Sequence, residues 1–115
     1  MITMQEAFIM NNAIVKVGDV FAYDASMNGC GVTNEYVVVL RAPMDLKRSS
    51  NVFGVKLLRE KPEDESKLIC LDNGKEGCRY IDCKETVSVN SYRLCVNVGH
   101  VNEHCLDTIY EMLSL

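Results

Sequence analysis

The sequence predicts a mainly β domain, in which five or six short strands form a small, twisted, partly closed barrel with one C-terminal helix. Residues 14–23 alternate apolar and polar side chains around a break at Gly18-Asp19, and residues 36–40 form a short apolar run of the buried-strand type. Residues 101–115 repeat apolar side chains at helical spacing. At 115 residues, the chain is expected to be one domain spanning residues 1–115.

The strands follow from the alternation of apolar and turn-forming segments. Residues 1–13 are weakly patterned and are expected to form a loosely ordered N-terminal arm. The predicted strands, in chain order, are about 14–23, 34–41, 52–58, 68–71, 79–86 and 87–89, with a final strand or helical turn at 92–98. Pro62 and its charged neighbours predict a solvated connector, and Asn73-Gly74 predicts a hairpin turn within residues 72–77.

The C-terminal helix has both a start signal and an apolar face. Asn102 is a favourable N-cap residue, and Val101 and Leu106 have the spacing of a hydrophobic staple around it. The apolar stripe consists of Leu106, Ile109 and Leu113, joined by Cys105 and Met112. The polar face consists of His104, Asp107, Thr108 and Glu111.

Composition excludes some classes of function. The formal net charge is −4, which disfavours non-specific binding of nucleic acid or anionic membrane by the whole surface. No apolar run approaches the roughly 18 residues that a membrane-spanning helix needs. The first ten residues contain no Lys or Arg and do not resemble a secretory signal, so we expect a cytoplasmic protein.

The six cysteines and two histidines do not form a recognisable metal motif, because no Cys-x-x-Cys occurs. His100 and His104 lie on either side of the N-cap Asn102, so they do not share a helical face. We therefore predict no metal site and no cofactor, and expect His100 to pack or hydrogen-bond beside the barrel. Four cysteines are predicted to be small buried apolar residues, namely Cys70, Cys83, Cys95 and Cys105. Cys30, between two glycines, is expected to be exposed.

Three segments carry a resemblance to a known family. They are Val17-Gly-Asp-Val-Phe21 followed by Asp24, the segment from Gly31 to Leu40, and the segment from Tyr92 through His100 to Leu113. In order and spacing they resemble the opening strand, the second strand and the closing strand and helix of the MazF/PemK family of toxin endoribonucleases. The resemblance covers about residues 14–115.

The resemblance implies a fold, an activity and partners. It implies an SH3-like β-barrel of the MazF/PemK/CcdB type, a two-fold homodimer, and cleavage of single-stranded RNA without a metal ion. It also implies an antitoxin peptide or protein that holds the toxin inactive. In this interpretation the loop from Asp24 to Thr33 gates the RNA groove and is the surface that the antitoxin covers.

The chain departs from the family pattern where reactive groups are expected. Asn34-Glu35 stands where the family usually has Arg-Pro, Leu57-Leu58-Arg59 ends the third strand in place of Thr or Ser, and residues 85–88 replace another polar segment. Arg59 is the candidate phosphate stabiliser, with Lys56 and Asn34 as further catalytic candidates. Glu35 or Glu85 is a candidate general base if burial raises its pKa.

The candidate RNA-binding residues are polar or basic side chains distributed over several strands: Arg41, Lys84, Glu85, Ser88 and Arg93. Lys47 and Arg48 are further basic candidates in a loop. Exposed tyrosines stack on bases in single-stranded nucleic-acid sites, and the candidates are Tyr23, Tyr36, Tyr80 and Tyr92.

Two other functions remain open at this point. A barrel that has lost cleavage would act as a module that binds protein or nucleic acid. A gyrase-binding toxin of the CcdB type shares the barrel and acts without catalysis. Incubation with single-stranded RNA in EDTA distinguishes the endoribonuclease from both.

Overall fold

The structure is a computed structural model that describes residues 15–25, 34–42, 51–75 and 77–114. These described residues form one antiparallel sheet and one α-helix, so the predicted fold class is confirmed. The strands are β1 (Asp19–Asp24), β2 (Asn34–Arg41), β3 (Asn51–Leu58), β4 (Leu68–Lys75), β5 (Cys78–Asn90) and β6 (Leu94–His100). A 3₁₀ turn at Ser91–Arg93 precedes β6, and α1 (Glu103–Leu113) follows it. The predicted N-terminal arm lies outside the described residues.

The six strands form one sheet in the order β4-β5-β3-β2-β1-β6. β4 and β6 are therefore its edges, and β2 and β3 lie at its centre. The apolar run at Val37–Leu40 is buried, as the sequence predicts for a central strand.

β5 is one strand of 13 residues, so the predicted division into strands 79–86 and 87–89 is wrong. The interruption lies earlier, because Val55 pairs with Thr86 whereas the next residue, Lys56, pairs with Asp82. Residues 83–85 are therefore extra residues of β5 relative to β3, as in a large β-bulge. This irregularity re-aims the side chains of β5 and places Glu85 beside Lys56.

β1 begins at Asp19, later than the predicted start near residue 14. A turn precedes it: the Asp19 amide donates to the Lys16 carbonyl at 3.0 Å, and Gly18 has a φ of +96°. A Cβ on Gly18 would lie 2.8 Å from Cε1 of His100, so the position needs glycine both for its conformation and for space. The His100 Nδ1 lies 2.9 Å from Oδ1 of Asp19, which confirms the predicted hydrogen bond of His100 beside the sheet.

The β4–β5 hairpin closes at a different position from the predicted one. Asn73 and Gly74 lie within β4, and the turn connects Lys75 to its partner Cys78. Gly77 supplies the positive φ, of +80°, that a tight turn requires. The predicted hairpin within residues 72–77 is confirmed, but the prediction of its turn at Asn73-Gly74 is wrong, because the pairing of Lys75 with Cys78 places the turn next to Gly77.

α1 begins as predicted. The Asn102 Oδ1 accepts a hydrogen bond from the Cys105 amide at 2.8 Å, which confirms Asn102 as the N-cap. Ile109 is fully buried and Val101 nearly so, whereas the predicted polar face is mainly exposed. No helix among the described residues is long and apolar enough to span a membrane.

Two apolar clusters lie on opposite faces of the strands, because successive side chains alternate. The helix-side core lies under α1 and includes Val20, Val38, Leu40, Val55, Leu57, Ile81, Cys83, Val101 and Ile109. The second core comprises Val15, Phe21, Tyr23, Val37, Val39, Val52, Val89 and Leu94. Gly54 allows β3 to lie close to β2, since a Cβ on Gly54 would lie 2.1 Å from the Val38 carbonyl oxygen.

The cysteines are only partly as predicted. Cys83 is buried in the helix-side core, which raises the pKa of its thiol to about 11, and Cys105 is half-buried. Cys70 and Cys95 are exposed, so their predicted burial is wrong: both lie on edge strands, where one side of the ladder faces solvent. Cys30 lies outside the described residues.

Candidate functional site

The polar site lies where β2 begins and β3 ends, and its hydrogen-bonded pair Tyr23 and Glu35 lies on the face that carries the second core. Tyr23 of β1 lies opposite Glu35 of β2, and its hydroxyl donates a hydrogen bond to Oε2 of Glu35 at 2.9 Å. Burial, with the Glu35 hydrogen bond and charge as further causes, raises the pKa of Tyr23 well above its ordinary value. Tyr23 therefore remains a donor at neutral pH and holds the Glu35 carboxylate in one position.

Lys56 is the centre of the site. Its Nζ lies 3.6 Å from Oε2 of Glu35 and 3.4 Å from Oε2 of Glu85. The Lys56 side chain is 25% exposed, compared with 39% for Glu35 and 55% for Glu85. Because all three groups remain in contact with solvent, each ion pair contributes little to stability. Their significance is that an ammonium is held between two carboxylates at an accessible surface.

A shallow cavity of about 250 Å³ lies on one side of Lys56, and we call it the Arg93 cavity. Its polar wall includes Ser88 and Arg93, together with Tyr23, Glu35 and Lys56. The Nε of Arg93 donates to the Asp24 carbonyl at 2.8 Å, which ties the 3₁₀ turn to the end of β1. The contact holds the guanidinium at the rim of the cavity.

A smaller cavity, of about 130 Å³, lies on the other side, and we call it the Arg59 cavity. Its lining combines Tyr36, Arg59 and Cys78 with the side chains of Leu57 and Leu58. Hydrogen bonds to Tyr36 and then to Cys78 raise the pKa of the exposed Arg59 guanidinium. Glu35 and Lys56 line both cavities, which therefore adjoin each other; we call the two cavities together the groove, with Arg59 in one, Arg93 in the other and Lys56 shared between them.

The structure brings most of the predicted site residues together. Lys56, Ser88 and Arg93 line the Arg93 cavity, and Glu85 reaches it through Lys56. Arg59 lies in the adjoining cavity, just beyond the end of β3. These predicted residues come from two strands, β3 and β5, from the residue just after β3, and from the 3₁₀ turn.

Two of the predicted RNA-binding residues lie elsewhere. Arg41 is at the opposite end of β2 from Glu35, roughly 20 Å away at the usual rise of a strand. The Nζ of Lys84 lies 2.8 Å from Oδ2 of Asp64 in the charged connector. Lys84 is thus held by the connector, and this contact holds the pKa of Asp64 well below its ordinary value.

Several predicted site residues, or their side chains, lie outside the part of the chain that the structure describes. Asn34 begins β2 and pairs with Asp24, but the placement of its side chain is not described, and the same holds for Tyr92. Lys47, Arg48 and residues 26–33 of the predicted gating loop also lie outside the described residues. Their roles stay predictions.

Sequence reasoning missed two features of the site. Tyr23 was a candidate only for base stacking, yet its hydroxyl positions Glu35. The sequence signal for this contact was that Tyr23 and Glu35 are paired across the hairpin that β1 and β2 form. The approach of Glu85 to Lys56 depends on the irregularity of β5, for which the sequence offers no glycine or proline as a marker.

The groove offers groups for acid–base chemistry on a phosphodiester. Carboxylates accept protons, and ammonium and guanidinium groups stabilise phosphate charge. Among the described residues, no group of three or more His, Cys, Asp or Glu side chains has an arrangement that could hold a metal ion.

Comparison with protein-family models and with curated proteins finds no match for this sequence. Solved structures do match. An endoribonuclease from mycobacterial species superposes with a TM-score of 0.66 at 12% identity, covering 87% of this chain and 88% of that chain. An endoribonuclease in complex with its cognate antitoxin, also from mycobacterial species, gives 0.67 at 13% identity, covering 88% and 92%. This likeness is one of fold, and it confirms the predicted MazF/PemK-like fold.

Proposed function

We propose that this protein is the toxin of a toxin–antitoxin system and that it cleaves single-stranded RNA without a metal ion. The observation that carries the proposal is the position of Lys56, held between two carboxylates in a groove that also includes Arg59 and Arg93. The shared fold with an endoribonuclease, and with one in complex with its cognate antitoxin, supports the same function.

The groove supplies each group that metal-free cleavage requires. Glu85, the more exposed carboxylate, accepts the proton of the ribose 2′-hydroxyl as the 2′ oxygen attacks phosphorus. Lys56 stabilises the negative charge of the pentacoordinate phosphorus and donates a proton to the leaving 5′ oxygen. The bond from the 2′ oxygen to phosphorus forms while the bond to the 5′ oxygen breaks. The products are a 2′,3′-cyclic phosphate and a 5′-hydroxyl end.

The proposed cation lies on a different strand from the one that the family resemblance implies. Asn34-Glu35 occupies the positions where Arg-Pro is expected, so the arginine charge is missing and the neighbouring Glu35 carboxylate would repel phosphate. Lys56 of β3 lies beside that carboxylate and supplies the missing positive charge. Arg93, tied to the Asp24 carbonyl, is placed to bind a neighbouring phosphate of the strand.

The test is cleavage of a long single-stranded RNA in EDTA by purified protein and by Lys56→Ala. We expect wild-type protein to give discrete cuts and Lys56→Ala to be about 10²–10³-fold slower, because one charge-stabilising group is lost. Lys56→Arg keeps the charge and should recover part of the rate. Equal rates for wild type and Lys56→Ala, with both folded by circular dichroism, would contradict the assignment of Lys56.

Lys61→Ala is the matched control. Lys61 is an exposed lysine of the connector that pairs with Glu65 at 3.2 Å, away from both cavities. It should cleave at the wild-type rate, so that a loss confined to Lys56→Ala reports on the groove and not on total charge.

A binding module without catalysis is the second candidate, because the two carboxylates offset the charge of Lys56. Intact RNA in EDTA, together with no growth arrest on expression in bacteria, would favour it over the endoribonuclease.

An antitoxin that covers the groove and a homodimer are further parts of the proposal. A monomer in light scattering at micromolar concentration would exclude the dimer.

A further inference from the structure

The Arg59 cavity is not used by the proposed cleavage step. It adjoins Lys56 but lies on the side away from Ser88 and Arg93. Its volume of about 130 Å³ is below the roughly 300–1,000 Å³ of pockets for drug-sized ligands. A cavity of this size takes a group no larger than about one ring system.

The lining of this cavity includes both an acceptor residue, Glu35, and a donor residue, Arg59. The Glu35 carboxylate is an acceptor, and Tyr23 and Lys56 fix one of its oxygens. The Arg59 guanidinium carries only donors, and Arg59 lines the same cavity together with Tyr36 and Cys78. Because Tyr23 and Lys56 hold the Glu35 carboxylate, it is preorganised, and little entropy is lost when it binds a ligand.

The apolar part of the lining suits a base rather than a sugar or a phosphate. Leu57 and Leu58 contribute hydrocarbon surface, and Tyr36 contributes an aromatic ring. Aromatic and guanidinium planes are the usual stacking partners of unpaired RNA bases.

We infer that the Arg59 cavity is a subsite for one unpaired guanine, next to the phosphate at Lys56. In this assignment the Glu35 carboxylate accepts hydrogen bonds from N1–H and the N2 amino group of guanine, and Arg59 donates to O6 and N7. The inference rests on the proposed function, since it assigns the base beside the cleaved bond.

Guanine matches this pattern better than the other three bases. A carboxylate can accept two hydrogen bonds from its Watson–Crick edge, and arginine bonded to O6 and N7 is the commonest specific contact to guanine. Adenine and cytosine each offer an amino donor beside a ring-nitrogen acceptor, which a carboxylate repels. Uracil offers one ring N–H. Each satisfied bidentate pair discriminates against a wrong base by about 1–3 kcal/mol, that is, by a factor of about five to 150.

The first experiment measures nucleotide binding, which does not require cleavage. GMP, IMP, AMP, CMP and UMP are titrated into ¹⁵N-labelled wild-type protein, and amide shifts of residues 57–59 are followed. We expect GMP to bind at least about tenfold more tightly than AMP, CMP or UMP. IMP lacks the N2 amino group and should bind more weakly than GMP.

Two variants separate the contacts. Glu35→Gln should abolish the preference for GMP over IMP. Arg59→Ala should weaken the binding of GMP and leave the affinities for UMP and CMP little changed. Lys61→Ala is the control and should keep the wild-type order. Equal affinities for the five nucleotides in wild-type protein, or shifts confined to residues outside the cavity, would overturn the assignment.

The second experiment maps cut sites on a random-sequence RNA. We expect guanine to be enriched at one fixed position beside the cut, and Arg59→Ala to flatten this preference by raising KM for guanine-containing substrates more than it lowers kcat. Cleavage with no guanine preference would refute the subsite and leave the endoribonuclease intact. Selective GMP binding without any RNA cleavage would support the subsite and refute the endoribonuclease.

Discussion

The two faces of the sheet are built from the same strands but serve different purposes. On the face under α1, apolar side chains continue along β2 and β3, and Ile109 of the helix is fully buried against them. On the other face the apolar side chains of β2 end at Val37. Val37 and Val39 are buried, but Glu35, two residues before Val37 on the same face, is charged and partly exposed. The charged groove begins where the second core ends.

This difference shows how a small domain can hold exposed charges in fixed positions. Tyr23 belongs to the second core, yet its hydroxyl reaches Glu35. The ring is held by packing, and the hydroxyl transmits that order to the carboxylate and, through it, to Lys56. The second core positions Glu35 and Lys56, while the helix-side core contributes Leu57 and Cys78 to the lining of the Arg59 cavity.

The largest expected effect tests the helix-side core. Ile109→Ala removes a fully buried side chain and should lower the free energy of unfolding by about 2–5 kcal/mol, because the cavity it leaves adds to the lost burial. Under conditions where the variant is fully folded, RNA cleavage per molecule should be unchanged. Urea unfolding measures the first quantity, and the EDTA cleavage assay measures the second.

Glu111→Ala is the control on the exposed face of the same helix, and it should change stability by no more than about 0.5 kcal/mol. If folded Ile109→Ala protein lost cleavage as well, stability and groove geometry would not be separable in this fold.

The sequence predicts the helix-side face well because its signals are local. The period of α1, the Asn102 cap and the apolar run of β2 depend on neighbouring residues, and all three are confirmed. The prediction is less accurate wherever pairing between strands decides the outcome. The extra residues of β5 and the shifted hairpin turn at Gly77 arise from registers that no single segment encodes.

The same reasoning explains which site residues could be predicted. Arg59 and Lys56 were identified by position near the predicted end of the third strand, Ser88 by the segment that the family resemblance marks, and Arg93 by its charge. The structure gathers these four residues in the groove. Arg41 and Lys84 were chosen for charge alone. One lies at the wrong end of its strand and the other is paired with Asp64. Whether any of these residues acts on RNA stays a prediction.

A smaller effect is expected from removing the Tyr23 hydroxyl, which joins the second core to the Glu35 carboxylate of the groove. Tyr23→Phe keeps the ring and removes the hydroxyl donated to Glu35, and should lower the free energy of unfolding by about 0.5–1.5 kcal/mol at pH 8. Because folding raises the pKa of Tyr23, the neutral hydroxyl contributes stability that is fully present below its unfolded pKa of about 10 and is lost at higher pH. The difference between wild type and Tyr23→Phe should therefore shrink as pH rises above about 10.

Urea unfolding of both proteins at pH 8 and at pH 10.5 checks this prediction. Tyr110→Phe is a useful comparison at pH 8, since its hydroxyl donates to the Leu40 carbonyl on the helix side, at 3.3 Å, and has no link to the groove. Tyr23→Phe should reduce RNA cleavage or base preference, whereas Tyr110→Phe should not. A stability difference that widens with pH would mean that folding does not raise the pKa of Tyr23.

The smallest expected effect concerns the end of β2 opposite the groove. Arg41 is exposed and lies opposite Phe53, roughly 20 Å from Glu35. At physiological salt the Debye length is about 8 Å, so the Arg41 charge is screened from a phosphate bound at Lys56. Arg41→Ala should therefore change the cleavage rate by less than about twofold, at 50 mM and at 200 mM salt alike. A larger, salt-dependent loss in the EDTA assay would mean that RNA runs along the whole of β2, and that the groove is only one part of a longer binding surface.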